Sequence, residues 1–126
     1  MFGCFEVITI WKKSFNPDSK KEEFTRCVLP VLCKWRSRVN RTAAESGAID
    51  KRYATVIIPC EDNYIFDGRN GDYIALGAHE VEITGEKPYR VSDVKELLKP
   101  DFFQIEYIKD VTNSKFGKHY RIEGIL

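Results

Sequence analysis

The sequence lacks most of the features that assign a chain to a functional class directly. Its 126 residues include four cysteines and two histidines, yet no C-x-x-C pair occurs, and both histidines lie far from any cysteine pair. Because structural zinc sites draw on closely spaced ligand pairs, we expect no zinc site. The formal net charge is only +1 at pH 7, so no strong overall field draws the protein to nucleic acid or to a membrane.

Long hydrophobic runs are missing as well. No apolar stretch approaches the roughly 20 residues that cross a bilayer, and the apolar N-terminal segment is not preceded by basic residues as in a secretory signal. We therefore expect no membrane partner and four reduced cysteines in an intracellular compartment. The composition, 43% hydrophobic and 31% charged, is that of a folded domain, and residues 1–126 are predicted to form a single one.

Catalytic motifs are also missing. The chain has no G-x-S-x-G motif, no Walker loop and no G-x-G-x-x-G after a predicted strand. His79 and Glu80 are adjacent, and adjacent side chains on a strand point to opposite faces. Residues 67–72 carry oxygen ligands but lack the closing glutamate of a calcium loop. The sequence therefore predicts no enzyme, no catalytic residue, no metal and no cofactor.

The periodicity of the hydrophobic residues is mostly two, which is typical of β-strands. The predicted strands are Phe5–Lys13, Phe24–Val39, Arg52–Cys60, Asp72–Leu76, Phe102–Val111 and His119–Ile125, with His79–Thr84 as a further short one. Pro30 cannot donate to a strand ladder, so the second strand must bend, bulge or lie at an edge near it.

One helix is predicted at about 93–98, with Ser92 as its cap. Its apolar residues share one face, which we expect to be buried by docking of the helix on the sheet: Val94, Leu97 and Leu98. Residues 36–51 are small, polar and without periodicity, which predicts a long loop. The expected fold class is mainly β: a small antiparallel β-barrel of the SH3-like type, or a sandwich, with one short helix and a long inserted loop.

Charge is segregated along the chain although the total is near zero. Residues 10–41 hold nine basic and three acidic side chains, a balance of +6, whereas residues 55–82 hold one basic and six acidic ones, a balance of −5. Either both are ordinary solvated faces, or the basic face of one subunit meets the acidic face of the next. The candidate subunit-interface residues are Lys12, Lys13, Glu61, Asp62, Asp67 and Asp72.

The order of motifs resembles that of a known family. The motifs are Ile8-Thr9-Ile10 in the first strand, Thr55–Ile58 in a central strand, Gly71-Asp72 before a short strand, and Ile108, Val111 and His119-Tyr120-Arg121 in the last two strands. In this order they resemble the head–tail joining proteins of tailed bacteriophages, also called head-completion, stopper or neck proteins. The likeness extends over nearly the whole chain.

The resemblance implies a structural virion protein and no enzyme. Such a protein forms a ring that connects the portal or its adaptor to the tail and helps to close the DNA channel. The implied partners are a homo-oligomeric ring of six- or twelvefold symmetry, the portal or adaptor ring, the tail terminator or tail proteins, and the end of the packaged DNA. The implied location is the head–tail interface of the virion, after synthesis in the cytoplasm of the bacterial host.

The predicted long loop is the candidate functional segment. In the resembling family the loop at this place faces the channel or contacts a neighbouring ring. Here Arg36, Arg38 and Arg41 make its base positive, which favours contact with DNA phosphates in the lumen or contact between rings. One alternative is a mobile solvated loop. Another is a small nucleic-acid-binding β-barrel of the OB or SH3 type, which would use the basic segment Lys34–Arg41 with Trp35 stacking on bases. A third is a minor capsid or tail-end protein on the same scaffold.

Overall fold

The computed structural model describes residues 3–44, 47–113 and 117–125, and it describes residues 38–52 and Asp62 by their backbone alone. In order along the chain, its elements are β1 (Ile8–Asn16), β2 (Lys21–Val28), β3 (Lys34–Ala44), β4 (Gly47–Pro59), a 3-10 turn (Glu61–Asn63), β5 (Tyr73–Leu76), α1 (Val91–Leu98), β6 (Phe102–Gln104), β7 (Tyr107–Val111) and β8 (His119–Ile125). Nine of these ten elements, all but the 3-10 turn, overlap a predicted strand or the predicted helix.

The strands form two antiparallel sheets that pack face to face. The first sheet has the order β2-β1-β5-β6 and the second has the order β3-β4-β8-β7. They touch at two corners: Glu6 and Cys33 exchange backbone hydrogen bonds of 2.9 and 2.7 Å, and the Glu106 N–H donates to the Glu123 carbonyl at 3.0 Å. In the described residues no continuous ladder joins the sheets, so the mainly β prediction is confirmed as a sandwich and not as a closed barrel.

Pro30 marks the place where the chain changes sheets. The predicted strand Phe24–Val39 is in fact two strands, β2 in the first sheet and β3 in the second. The predicted bend at Pro30 is therefore the corner at which the chain passes from the first sheet to the second. The predicted strand Phe102–Val111 is divided in the same way, because Ile105 and Glu106 turn the chain from β6 into β7.

The main core lies between the two sheets. Its fully buried members alternate along their strands. The first sheet contributes Ile8 and Ile10 on β1, Ile74 on β5 and Phe103 on β6, and the second sheet contributes Val56 and Ile58 on β4 and Ile122 on β8. Gly124 allows the sheets to approach at one corner, since a Cβ there would overlap the Phe103 ring and the Gln104 carbonyl oxygen. Any larger residue at this position requires the two sheets to separate locally.

A second core lies on the opposite face of the first sheet. Trp11 is fully buried there, packs edge-on against Phe102 at 5.7 Å between ring centroids, and donates its indole N–H to the Val81 carbonyl at 2.9 Å. The Thr9 hydroxyl donates to the Gly77 carbonyl at 2.6 Å and accepts from the His79 N–H at 3.0 Å. These bonds hold residues 77–84 across the sheet as an irregular segment, so the optional strand at His79–Thr84 does not form.

Helix α1 completes this second layer. It begins two residues earlier than predicted, and Asp93 caps it by accepting the Arg90 backbone N–H at 3.1 Å, in place of the predicted Ser92. A hydrogen bond from the Arg90 side chain lowers the pKa of Asp93. The face that meets the sheet is Val91, Val94 and Leu98, at positions i, i+3 and i+7. No helix in the described ranges is both long and apolar enough to span a membrane.

The prediction of a long loop at about 36–51 is wrong, because the described residues of this segment belong to β3 and β4. Residues 34–44 and 47–57 pair in continuous antiparallel register, from Lys34 with Ile57 to Ala44 with Gly47. A pattern of alternating apolar residues arises where one face of a strand is buried, but the outer part of this hairpin pairs only with itself, because β8 joins β4 from Tyr53 onward. The outer residues of the hairpin therefore form strands although their sequence lacks the alternating apolar pattern that predicts strands.

The α1 face gives a direct test of this layer. Val94 is 1% exposed and Leu97 is 68% exposed, which corrects the expectation that Leu97 is buried. We expect Val94→Ala to lower the free energy of unfolding by about 2 kcal/mol, because it removes two buried methyl groups and leaves a cavity. Leu97→Ala on the same helix should change it by less than about 0.5 kcal/mol. Urea unfolding of both variants measures this, and a larger loss for Leu97→Ala would contradict the packing of α1.

Candidate functional site

The β3–β4 hairpin extends beyond the sheet to which it belongs. We call its outer part, residues 38–52, the arm. Within the arm the two strands pair with each other from Arg38–Tyr53 outward, and no third strand among the described residues pairs with them. At about 3.4 Å per residue, the seven residues from Arg38 to Ala44 reach about 24 Å. The arm is therefore a two-stranded ribbon that continues past the end of β8 in the sheet.

Next to the arm, the outer face of the second sheet carries a set of basic side chains. Trp35, Val56 and Ile122 point into the main core, so their neighbours along each strand point outward. The register then sets two rows across the four strands. The first row is Lys34, Ile57, Arg121 and Lys109, and the second is Arg36, Thr55, Glu123 and Tyr107.

We call Lys34, Arg36, Lys109 and Arg121 the basic face. Arg36, Lys109 and Arg121 are exposed and Lys34 is half-buried. Glu123 is the acidic residue of the two rows, and its Oε1 atom lies 2.9 Å from Arg121 Nε. A recess of about 390 Å³ opens on this face, lined by Trp35, Arg36, Ser37, Thr55, Ile57 and Arg121. Two guanidinium groups and the Thr55 hydroxyl lie on its outward side, which is a donor set suited to an anion.

Trp35 does not have the role that the nucleic-acid alternative gave it. Its side chain is 9% exposed and packs against Phe103, with ring centroids 5.2 Å apart. A base can stack only on an accessible ring face. Trp35 is therefore a core residue, and the nucleic-acid-binding alternative loses its stacking platform.

The predicted interface residues on β1 are engaged within the chain. Lys12 Nζ lies 2.7 Å from the Asp67 carboxylate, and Lys13 Nζ lies 3.0 Å from the Glu22 carboxylate. Lys12 belongs to the basic region of the sequence and Asp67 to the acidic one, so part of the charge complementarity between these regions is satisfied inside one chain. Such exposed pairs contribute little to stability.

Asp72 is a buried structural residue. It is 3% exposed, and its two carboxylate oxygens accept hydrogen bonds from the Lys13 N–H at 2.9 Å and the Arg69 N–H at 2.8 Å. The carboxylate thus ties the turn before β5 to the neighbouring strand β1. It is not accessible to another subunit, which corrects its prediction as an interface residue.

The remaining predicted site residues fall in three places. Arg36 lies on the basic face, and Arg38 and Arg41 lie on the arm, where their side chains are outside the described part of the structure. Glu61 is exposed in the 3-10 turn, and the side chain of Asp62 is also outside the described part.

Sequence reasoning missed Lys109 and Arg121. Lys34, in the basic segment Lys34–Arg41, is far from them along the chain, and only the register of β3, β4, β8 and β7 brings the three into one row. A signal was present in the alternation of HYRIEGI and YIKDV, which puts Arg121 and Lys109 on the face opposite Ile122 and Ile108. The sequence alone does not show which strands pair with each other, or in which register.

The described side chains offer little for catalysis or metal binding. No group of three or more His, Cys, Asp or Glu residues among them is placed to hold a metal ion. All four cysteines are free, and burial raises the pKa of the Cys33 thiol to about 12, which keeps it protonated and unreactive. His79 is used in the second core, where Nε2 lies 2.7 Å from the Leu76 carbonyl and the ring stacks on Trp11.

Comparison with known proteins identifies one family. The model of the "Family of unknown function (DUF6751)" matches residues 5–125, and the chain therefore belongs to this family. The comparison with curated proteins found no match, and neither did the comparison with solved structures. The matched residues include both sheets and the second core.

Asp72 and Asp67 provide a matched pair for testing how the acidic residues act. We expect Asp72→Ala to lower the free energy of unfolding by about 2–4 kcal/mol, because it leaves two buried N–H groups without acceptors. Asp67→Ala removes an exposed ion pair and should change it by less than about 0.5 kcal/mol. Thermal and urea unfolding of the two variants measure the difference. Equal, small effects would show that the Asp72 carboxylate does not hold the turn.

Proposed function

We propose that this member of the DUF6751 family is a structural protein of the neck of a tailed bacteriophage. In this role it forms a ring between the portal or its adaptor and the tail, and it helps to close the DNA channel. The observation that carries the proposal is the arm, a paired ribbon about 24 Å long that leaves the sandwich without a third strand beside it in the described residues. The resemblance of the sequence to head–tail joining proteins supplies the identity of the assembly.

The arm needs a further surface to stabilise it, which favours assembly. An isolated two-stranded hairpin is marginally stable at best in water, because it has no buried face and exposes its backbone edges. A protein that extends such a hairpin gains stability for it by docking it on another surface. In a ring, the adjacent subunit or the adjacent ring presents that surface in every copy.

The motifs that carry the resemblance lie at positions that build the fold. Ile8 and Ile10 are in the main core and Thr9 is in the second one, so the Ile8-Thr9-Ile10 motif is buried on both faces. Gly71 has a positive φ of 96°, and Asp72 ties the same turn to β1. The resemblance thus rests on residues with clear structural roles, which supports a shared fold for the chain and that family.

The arm can be removed without cutting into the sandwich. Val39 and Arg52 are register partners, so residues 40–51 can be replaced by a two-residue Asn-Gly turn, which suits an antiparallel hairpin. We expect the isolated variant to keep its β-sheet circular dichroism and its thermal midpoint within about 4 °C, which corresponds to less than about 1 kcal/mol. Phage carrying the variant should make DNA-filled heads and free tails that do not join.

The control shortens a different hairpin by the same design. Asn16 and Lys21 are register partners at the β1–β2 turn, so residues 17–20 are replaced by Asn-Gly in the control variant. Phage carrying the control should join heads to tails normally. Electron microscopy of lysates and infectious titre measure both. Normal head–tail joining with the arm removed would contradict the proposed function, and so would mass spectrometry showing that the chain is absent from purified virions.

A further inference from the structure

The basic face is an unbalanced positive surface. Among the described residues of its two rows it has four basic side chains and one carboxylate, that of Glu123, which Arg121 already contacts at 2.9 Å. The two rows thus carry three more positive than negative charges, and Glu6 beside them accepts the Trp35 N–H at 3.2 Å. No acidic side chain in the described part of the chain lies within ion-pair distance of Arg36 or Lys109.

We propose that the basic face binds the phosphodiester backbone of duplex DNA. Its first row, from Lys34 to Lys109, crosses three inter-strand steps, which is about 14 Å at about 4.8 Å per step. Duplex DNA carries one negative charge per about 1.7 Å of axis, so the same length of duplex presents about eight phosphates. The near strand of the duplex therefore offers several phosphates to the four basic side chains.

The recess on this face supplies a specific place for one phosphate group. Arg36 and Arg121 line it from two different strands, with Thr55 on the strand between them. Guanidinium groups bind phosphate oxygens in pairs, and the Thr55 hydroxyl can donate to an oxygen that remains. Its volume of about 390 Å³ admits a phosphate with its neighbouring sugar atoms.

The distribution of charge over the molecule favours one orientation on DNA. Residues 77–101, which cover the first sheet on the opposite side, hold six acidic and four basic residues, a balance of −2. The arm, which continues two strands of the basic face, holds four basic and two acidic residues, a balance of +2. A polyanion is therefore attracted to the second sheet and the arm, and repelled from the side of α1.

This inference deepens the proposed function, because packaged DNA lies inside the neck, but its test requires only the isolated protein. The probe is a fluorescein-labelled 30-base-pair duplex of mixed sequence, titrated with protein from 25 to 200 mM NaCl. We expect binding that weakens with salt, by about 0.9 of a logarithmic unit in the association constant per phosphate contact and per decade of salt. An unlabelled duplex of different sequence should compete equally, since phosphate contacts carry no sequence information.

Two matched double variants locate the binding surface. Arg36→Gln with Lys109→Gln removes two exposed charges from the basic face, and Lys21→Gln with Lys95→Gln removes two exposed charges from the first sheet and α1. Both change the net charge by −2. The first should weaken binding about tenfold or more and reduce the salt slope by about two. The second should weaken it by less than about threefold, through the change in net charge alone.

A third variant moves binding in the opposite direction, which a merely destabilised protein does not do. Glu123→Gln removes the carboxylate of the two rows and frees Arg121, so it should tighten binding and steepen the salt slope by about one. Equal losses in the two double variants, or weaker binding by Glu123→Gln, would overturn the proposal.

Other ligands are separate outcomes of the same experiment. Tighter binding to a single-stranded 30-mer than to the duplex would overturn the assignment to duplex DNA, and so would binding to vesicles of phosphatidylglycerol and phosphatidylcholine in place of DNA. DNA binding lost in the basic-face variant, with head–tail joining intact, would place DNA contact outside the joining step and leave the neck proposal standing. Failure of the arm variant to block joining would contradict the neck proposal and leave the DNA measurement unaffected.

Discussion

The first four residues of strand β1, Ile8–Trp11, are buried on both faces of the strand, and the rest of the structure depends on that. Ile8 and Ile10 on one face fill the main core between the sheets, while Thr9 and Trp11 on the other face organise the second core under α1. A strand buried on two sides must satisfy every polar side chain that it carries. The Thr9 hydroxyl and the Trp11 indole do so by bonding the backbone of residues 77–81. The molecule therefore has three layers, and β1 lies in the middle one.

This arrangement determines which surfaces remain for partners. One side of the first sheet is covered by α1 and residues 77–90, and the other by the second sheet. Arg26 on β2 also contacts the covering segment, through an ion pair with Glu82 at 3.0 Å. The outer face of the second sheet and the arm are left uncovered in the described residues. The proposed contacts with neighbouring subunits and with DNA lie on these two surfaces.

Much of the fold followed from local pattern. The strands at β1, β4 and β8 and the short helix were predicted because apolar residues alternate where one face is buried, and because Pro30 cannot sit inside a ladder. The arm was predicted as a loop because its two strands pair only with each other beyond Tyr53, so no core imposes a pattern on them. Leu97 was placed in the core because three apolar residues share a helix face, whereas the docking angle of α1 selects Val91, Val94 and Leu98.

The candidate site was harder to predict than the fold for a related reason. Arg36 was identified because it is close to other basic residues along the chain, but Arg121 and Lys109 join it only through strand register. Asp72 was assigned to an interface from its charge, although burial and two backbone donors give it a role inside the turn. The sequence shows which residues are charged, but only the tertiary structure shows which of them already have hydrogen-bond or ion-pair partners within the chain.

An electron cryomicroscopy reconstruction of the neck in the phage that encodes this chain tests the central claim most directly. The account predicts a ring between the portal or adaptor and the tail, with subunits that fit the two-sheet sandwich and with the arm docked on an adjacent subunit or ring. A neck whose density is fully explained by other proteins would contradict it. So would a ring of these subunits in which every arm extends into solvent.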